Sequence, residues 1–225
     1  MTTFALKLIA ILTMLIDHTG AVLLGDLLIL RIIGRIAFPI FAFLTAEACA
    51  RTRDPEKRLI RLGVFALICE LPFDWAFFYT LYYPGHQNVF FTLFLASLAI
   101  YAYERLQHRS WAMVAVLLLS LVGDLLHTDY GMLGILLIFA LYRCRTGGQR
   151  AMAVTGMNLL FTLPAVAMMG LSLYTTQQMW GCLAIPFIWM YNSKLGPKMK
   201  YFFYLFYPLH LIILSILAQL WFPTA

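Results

Sequence analysis

Charge is what this sequence has least of. Only 12% of its 225 residues are Asp, Glu, Lys or Arg, about half the roughly 25% of an ordinary soluble domain. So little charge cannot coat a water-facing surface, and a chain this short cannot hide so much apolar surface in one core. Cysteine is also sparse. Cys49, Cys69, Cys144 and Cys182 are the four present. No two have the spacing of a zinc site or a redox pair, so they read as small buried apolar residues. The sequence has no G-x-S-x-G, no P-loop, and no histidine spacing that suggests haem or zinc. No metal is expected. A basic face interleaved with aromatics is missing too, which argues against a nucleic-acid partner despite the net charge of +6. No soluble domain, low-complexity stretch or internal repeat stands out, so residues 1–225 read as one membrane domain.

What is present is apolar: 63% of the residues are hydrophobic. The apolar runs are continuous and do not alternate, which indicates helices and not an outer-membrane barrel. In lipid every backbone polar group must be satisfied internally, and a helix does that within one segment. The expected fold is all-α, a polytopic transmembrane helical bundle of about nine spans. They are Phe4 to Leu24, Leu30 to Ala50, Leu59 to Tyr79, Asn88 to Tyr103, Trp111 to Leu126, Tyr130 to Tyr142, Ala151 to Leu171, Thr175 to Tyr191 and Tyr201 to Trp221. The fifth and sixth are short enough to be a re-entrant pair. Lys7 before the first run resembles a signal peptide. However, Asp17 and His18 interrupt that run and no A-x-A-like site follows, so it reads as a retained first helix.

The loop charges orient these spans. Lys7, the Arg51–Arg61 loop, Arg105 with Arg109, Arg143 to Arg150, and Lys194 to Lys200 together hold all but two of the 16 Lys and Arg. With nine alternating spans they fall on one side, which the positive-inside rule makes cytoplasmic. The N-terminus is then cytoplasmic and the C-terminus external, in a bacterial cytoplasmic (inner) membrane, with the lipid bilayer as the constant partner.

The two remaining cations, Arg31 and Arg35, open the second span. Ionisable groups within spans are expensive and default to functional candidates. These gather toward the outer side. Asp17 and His18 lie in the outer half of span one, Glu70 and Asp74 in that of span three. His86 and Asn88 flank span four. Asp124, His127 and Asp129 line the next outer turn, and His210 sits near mid-membrane in span nine. Only Glu47 falls clearly in the inner half. Arg31 and Arg35 share a helix face by their i,i+4 spacing, as do Glu70 and Asp74 across Pro72. Asp17 and His18 are adjacent and point about 100° apart, so a carboxylate from another helix is the better partner for His18. Simpler readings stand beside these: the arginines snorkel to the interface, the acids form an ionic staple with them, and His210 is a satisfied bundle histidine.

At these residues the sequence resembles the TraX family, the F-pilin N-acetylases. The likeness is carried by LKLIAILTMLIDHTG (Leu6 to Gly20), RIIGRIAFPIFAF (Arg31 to Phe43), ELPFDWAFF (Glu70 to Phe78) and NVFFTL (Asn88 to Leu93). It continues in DYG (Asp129 to Gly131) and KYFFYLFYPLHL (Lys200 to Leu211). The resemblance implies an integral-membrane acyltransferase, similar in arrangement to bacterial O-acyltransferases and lysosomal glucosaminide N-acetyltransferases. In those proteins an early-helix histidine acts on the acceptor and acetyl-CoA is the usual donor. His18 is the matching position.

The expected reaction is transfer of an acetyl or other acyl group from cytoplasmic acetyl-CoA to an amine or hydroxyl at the outer side: a pilin N-terminus, another peptide amine, a glycan or a lipid. His18 would be the base, oriented by Glu70 or Asp74, with Asp17 beside it and Arg35 offsetting oxyanion charge. Arg31, Asn88 and His210 are candidate substrate contacts. Lys194, Lys198 and Lys200 are candidates for the CoA phosphates, or are plain topology signals. From Phe4 to His18 a helix rises roughly 21 Å, a distance that a pantetheine arm could span. Two other classes use the same residues: a proton-coupled transporter with these charges as its relay, and a non-catalytic assembly scaffold. An inverted repeat would favour the transporter, and the sequence shows none.

Overall fold

The computed structural model describes residues 1–25, 27–197 and 199–221, the side chains of Lys200 and Tyr201 excepted. It is all-helical, with no strand among the described residues. The helices are α1 (Thr3–Val22), α2 (Leu28–Gly34), α3 (Ala37–Arg51), α4 (Pro55–Phe78), α5 (Val89–Arg105) and α6 (Arg109–Leu125). They continue with α7 (Gly131–Arg143), α8 (Gly147–Met169), α9 (Ala184–Trp189) and α10 (Lys200–Trp221), with a 3₁₀ helix at Gln177–Leu183. Among the described residues four stretches are long and apolar enough to cross a membrane: Thr3–Val22, Leu28–Arg51, Gly147–Met169 and Phe202–Trp221. The outward faces are apolar. On α6, for example, Leu117, Leu118, Leu121 and Leu125 are all exposed.

Two expected spans are interrupted, and proline accounts for both. The second is broken between Gly34 and Ala37. Pro39 has no N–H to offer the carbonyl four residues back, and its ring crowds that carbonyl. That residue is Arg35, where α2 ends. Inside α3, Pro39 sits in the first turn, where a missing donor is harmless. The expected eighth span is the 3₁₀ helix followed by α9. Pro186 likewise denies a donor to Cys182, and the backbone upstream winds tighter than an α-helix.

The chain forms two compact units, each discontinuous in sequence. The first comprises Met1–Phe41, Pro72–Leu81 and Val154–Ala225; the second, Ala42–Leu71 and Tyr82–Ala153. In the first, α1 packs against α2 and α10, and the 3₁₀ helix packs against α2 and α9. Thr2 caps α1, its hydroxyl accepting from the Ala5 N–H at 3.2 Å. The Thr3 and Phe4 N–H groups donate to Lys194 and Leu195 carbonyls at 2.8 and 3.1 Å, which ties the start of α1 to the loop before α10.

In the second unit α5, α6 and α7 pack on one another. Asn88 starts α5, its Oδ1 accepting from the Phe90 N–H at 2.9 Å. The turn between α6 and α7 is knit to the segment before α5: the Gln87 N–H donates to the His127 carbonyl at 3.0 Å, and the Asp129 N–H to the Gln87 carbonyl at 2.9 Å. At 13 residues, α7 rises about 20 Å, short of the roughly 30 Å of a bilayer core.

Candidate active site

In the first unit, sequence neighbours on α1 part company. The side chain of Asp17 goes to α2. Arg31 Nη1 donates to its Oδ2 and Arg35 Nη2 to its Oδ1, both at 2.8 Å. One carboxylate thus bridges two guanidiniums, each oxygen taking one charge-assisted bond. Beside the acids of α4 that the sequence proposes for Arg35, the structure gives it a carboxylate on α1, Asp17. Arg35 also donates from Nε to the Arg31 carbonyl at 3.1 Å and from Nη1 to Gln178 Oε1 at 3.4 Å. Its cation therefore sits at the C-terminal end of α2, where the helix dipole favours positive charge. Gly34 makes this clamp possible. A Cβ there would overlap the Asp17 side chain, so the carboxylate lies directly on the backbone of α2.

His18 turns to α10, where its partner is a histidine and not the expected carboxylate. His18 Nδ1 lies 2.7 Å from His210 Nε2, and His210 Nδ1 lies 2.7 Å from the Phe206 carbonyl oxygen. The ring centroids are 5.0 Å apart with planes inclined by 12°. The nitrogen-to-nitrogen distance plus a ring radius on each side fills that separation, so the rings meet edge to edge.

The tautomers follow from the partners. A carbonyl only accepts, so His210 carries its proton on Nδ1. Its Nε2 then offers a lone pair, and His18 must donate to it from Nδ1. The lone pair of neutral His18 is thereby fixed on Nε2, ready to take a proton. His210 is 5% exposed, so its ring is held. Phe77 packs edge-on against His18 at 5.3 Å between centroids, and Tyr207 does so at 6.1 Å.

Asp74 lies three residues before Phe77, on the same side of α4, and is fully buried. Glu70 belongs to the second unit, where its Oε2 accepts from the side chain and the backbone N–H of Asn88, the latter at 3.2 Å. Asn88 also donates from Nδ2 to the Ala66 carbonyl at 2.8 Å. Its amide caps α5 and fastens it to α4. His210, another expected substrate contact, lies against His18. Lys194 is exposed in the loop before α10. Lys198 and the side chain of Lys200 lie outside the described residues.

Sequence reasoning missed Gln178, Gly34 and the support of the 3₁₀ helix. Asn158 is 2% exposed and donates to the Val154 carbonyl at 3.0 Å. A Cβ on Gly181 would press on its amide and on the Arg35 carbonyl. The available signals were the glycine inside RIIGR and the paired glutamines of an otherwise apolar run.

Comparison with known proteins covers nearly the whole chain. The family described as TraX protein matches residues 3–218. A probable fimbrial assembly protein, FimC of serogroup H1, from Dichelobacter nodosus is 30% identical over 232 residues, which cover 95% of this chain and 94% of that one. An uncharacterized protein of Rickettsia prowazekii (strain Madrid E) is 43% identical over 63 residues, 28% of this chain and 25% of that one. No solved structure matches. With nearly its whole length matched, this chain belongs to the TraX family.

Proposed function

We propose that the protein is a membrane-embedded acyltransferase that moves an acetyl group from acetyl-CoA to an amine or hydroxyl. The observation that carries this reading is the lone pair held on His18 Nε2 by the His210 and Phe206 contacts. An amine or alcohol is a poor nucleophile until a proton leaves it. Here the acceptor nitrogen or oxygen attacks the thioester carbonyl while its proton passes to His18 Nε2. The carbon–sulfur bond then breaks, and the same proton goes to the departing sulfur. General-base help of this kind is worth about 10²–10⁴-fold. In this reading Arg35 offsets negative charge on the tetrahedral oxygen.

A relative named as a probable fimbrial assembly protein supports a pilus-related acceptor, so a peptide amine is the first to try, ahead of glycan and lipid hydroxyls. The charge split of the loops supports nine spans in the bacterial cytoplasmic membrane, with donor entry from the cytoplasm and the acceptor outside. The His18–His210 contact would also serve a proton-coupled transporter, and one assay separates the two. Purified protein in detergent is given labelled acetyl-CoA with a crude acceptor fraction. Label transfer or thioester hydrolysis is expected; a protein that does neither is no acyltransferase. Intersecting initial-rate lines with both substrates varied would mark direct transfer, and parallel lines an acetyl-histidine intermediate.

A further inference from the structure

The cytoplasm-facing loops of the topology above leave three arginines at one place. In the second unit, Arg109, Arg143 and Arg145 line a cavity of about 430 Å³, within the roughly 300–1,000 Å³ of small-molecule sites. All three are exposed, and among the described residues none makes an ion pair with a carboxylate. Two of them are aimed. Tyr103 is 5% exposed and wedged edge-on against Phe139 at 4.9 Å between centroids. The Arg109 and Arg143 guanidinium carbons lie over its ring at 4.6 and 5.2 Å. A guanidinium that rests its face on a ring keeps its N–H edges for an oxyanion.

Two acids share the wall, Glu47 and Glu104. Glu47 is already met by Arg51 at 2.7 Å and Arg150 at 3.7 Å, so it does not cancel the three arginines. A second cavity of about 160 Å³ shares Glu104 and Tyr142 with the first, and its other walls include Cys49, Leu59, Ser97 and Ile100. A cationic chamber thus adjoins a narrower and less polar one.

We propose that this pair of cavities binds the nucleotide end of the coenzyme donor, the phosphates against Arg109, Arg143 and Arg145 and the pantetheine arm toward the smaller chamber. The inference rests on the acyltransferase reading for its choice of ligand, and it assigns the phosphates to these arginines and not to Lys194, Lys198 and Lys200. An anionic lipid headgroup shares the phosphate chemistry and is the rival source.

The test is binding of coenzyme A to the full chain in detergent, by titration calorimetry. Arg109→Ala with Arg143→Ala, and separately Arg145→Glu, should each weaken binding by about tenfold or more. Because these side chains are exposed, the variants should fold, and their melting temperatures report whether they do. The triple change Lys194→Ala, Lys198→Ala, Lys200→Ala should leave binding nearly intact, as should His18→Ala. Coenzyme A affinity that ignores the arginines, or that follows the lysines, overturns the proposal. So does arginine-dependent binding of phosphatidylglycerol nanodiscs by a protein that ignores coenzyme A, which would give the cavity to lipid. Arginine-dependent binding without acetyl transfer would sink the acyltransferase reading and leave this site standing.

Discussion

Asp17 and His18 differ by one position and serve different ends. On a helix that step is a turn of about 100°, enough to send the carboxylate to Arg31 and Arg35 and the imidazole to His210. The clamp is largely buried, and removing one partner of a buried pair costs about 3–5 kcal/mol because the other charge is stranded. Asp17→Asn should therefore lower the melting temperature sharply in a thermal-shift assay in detergent; an unchanged melt would mean that the arginines do not depend on it. Gly34→Ala should do similar damage through crowding, at about 1–3 kcal/mol.

His210 predicts a different pattern. His210→Phe should lower kcat and leave KM nearly unchanged, because His18 would lose the acceptor that fixes its tautomer. His210→Gln, which keeps a side-chain acceptor, should recover part of the rate. Equal loss in both variants would make His210 a packing residue.

Much of this was legible because charge is so rare in the chain. Asp17, His18, Arg31 and Arg35 announce themselves inside apolar runs, and the adjacency rule kept Asp17 away from His18. The pairing of His18 with a residue 192 positions away was not legible, since no local spacing encodes it. An intramembrane histidine also suggests a carboxylate partner by default, and here the chain supplies a neutral ring and a backbone carbonyl.

Among the elements, the length of the apolar runs located the helices but not their breaks. Pro39 and Pro186 were visible in the sequence, yet an apolar run with one proline can be a kinked helix or two separate pieces, and packing decides. The break after Gly34 brings Arg35 to the end of α2, where its guanidinium reaches its own helix terminus, Asp17 and Gln178. Asn88 is the element-scale counterpart of the clamp. Asn88→Ala would remove the cap of α5, worth about 1 kcal/mol, and would take the side-chain donor from Glu70 while leaving the backbone N–H. Stability should fall while the specific activity of the folded fraction stays near wild type. A raised KM at unchanged stability would assign Asn88 to the substrate site.

For the whole molecule, four described stretches long and apolar enough to cross a membrane mark a membrane chain. The nine-span topology makes its own forecast: reporter fusions at Gly148 and Ala225 should give opposite signals, cytoplasmic at the first and external at the second. Matching signals would break the nine-span division. Ala225 lies outside the described residues.

If His18 Nε2 takes the acceptor's proton, acetyl transfer from labelled acetyl-CoA by wild type and His18→Ala, each with a melting curve, must differ. His18 lies outside the Asp17 clamp, so the variant should melt close to wild type and lose at least about 100-fold in rate. A folded His18→Ala protein that transfers acetyl at near wild-type rate would contradict the account.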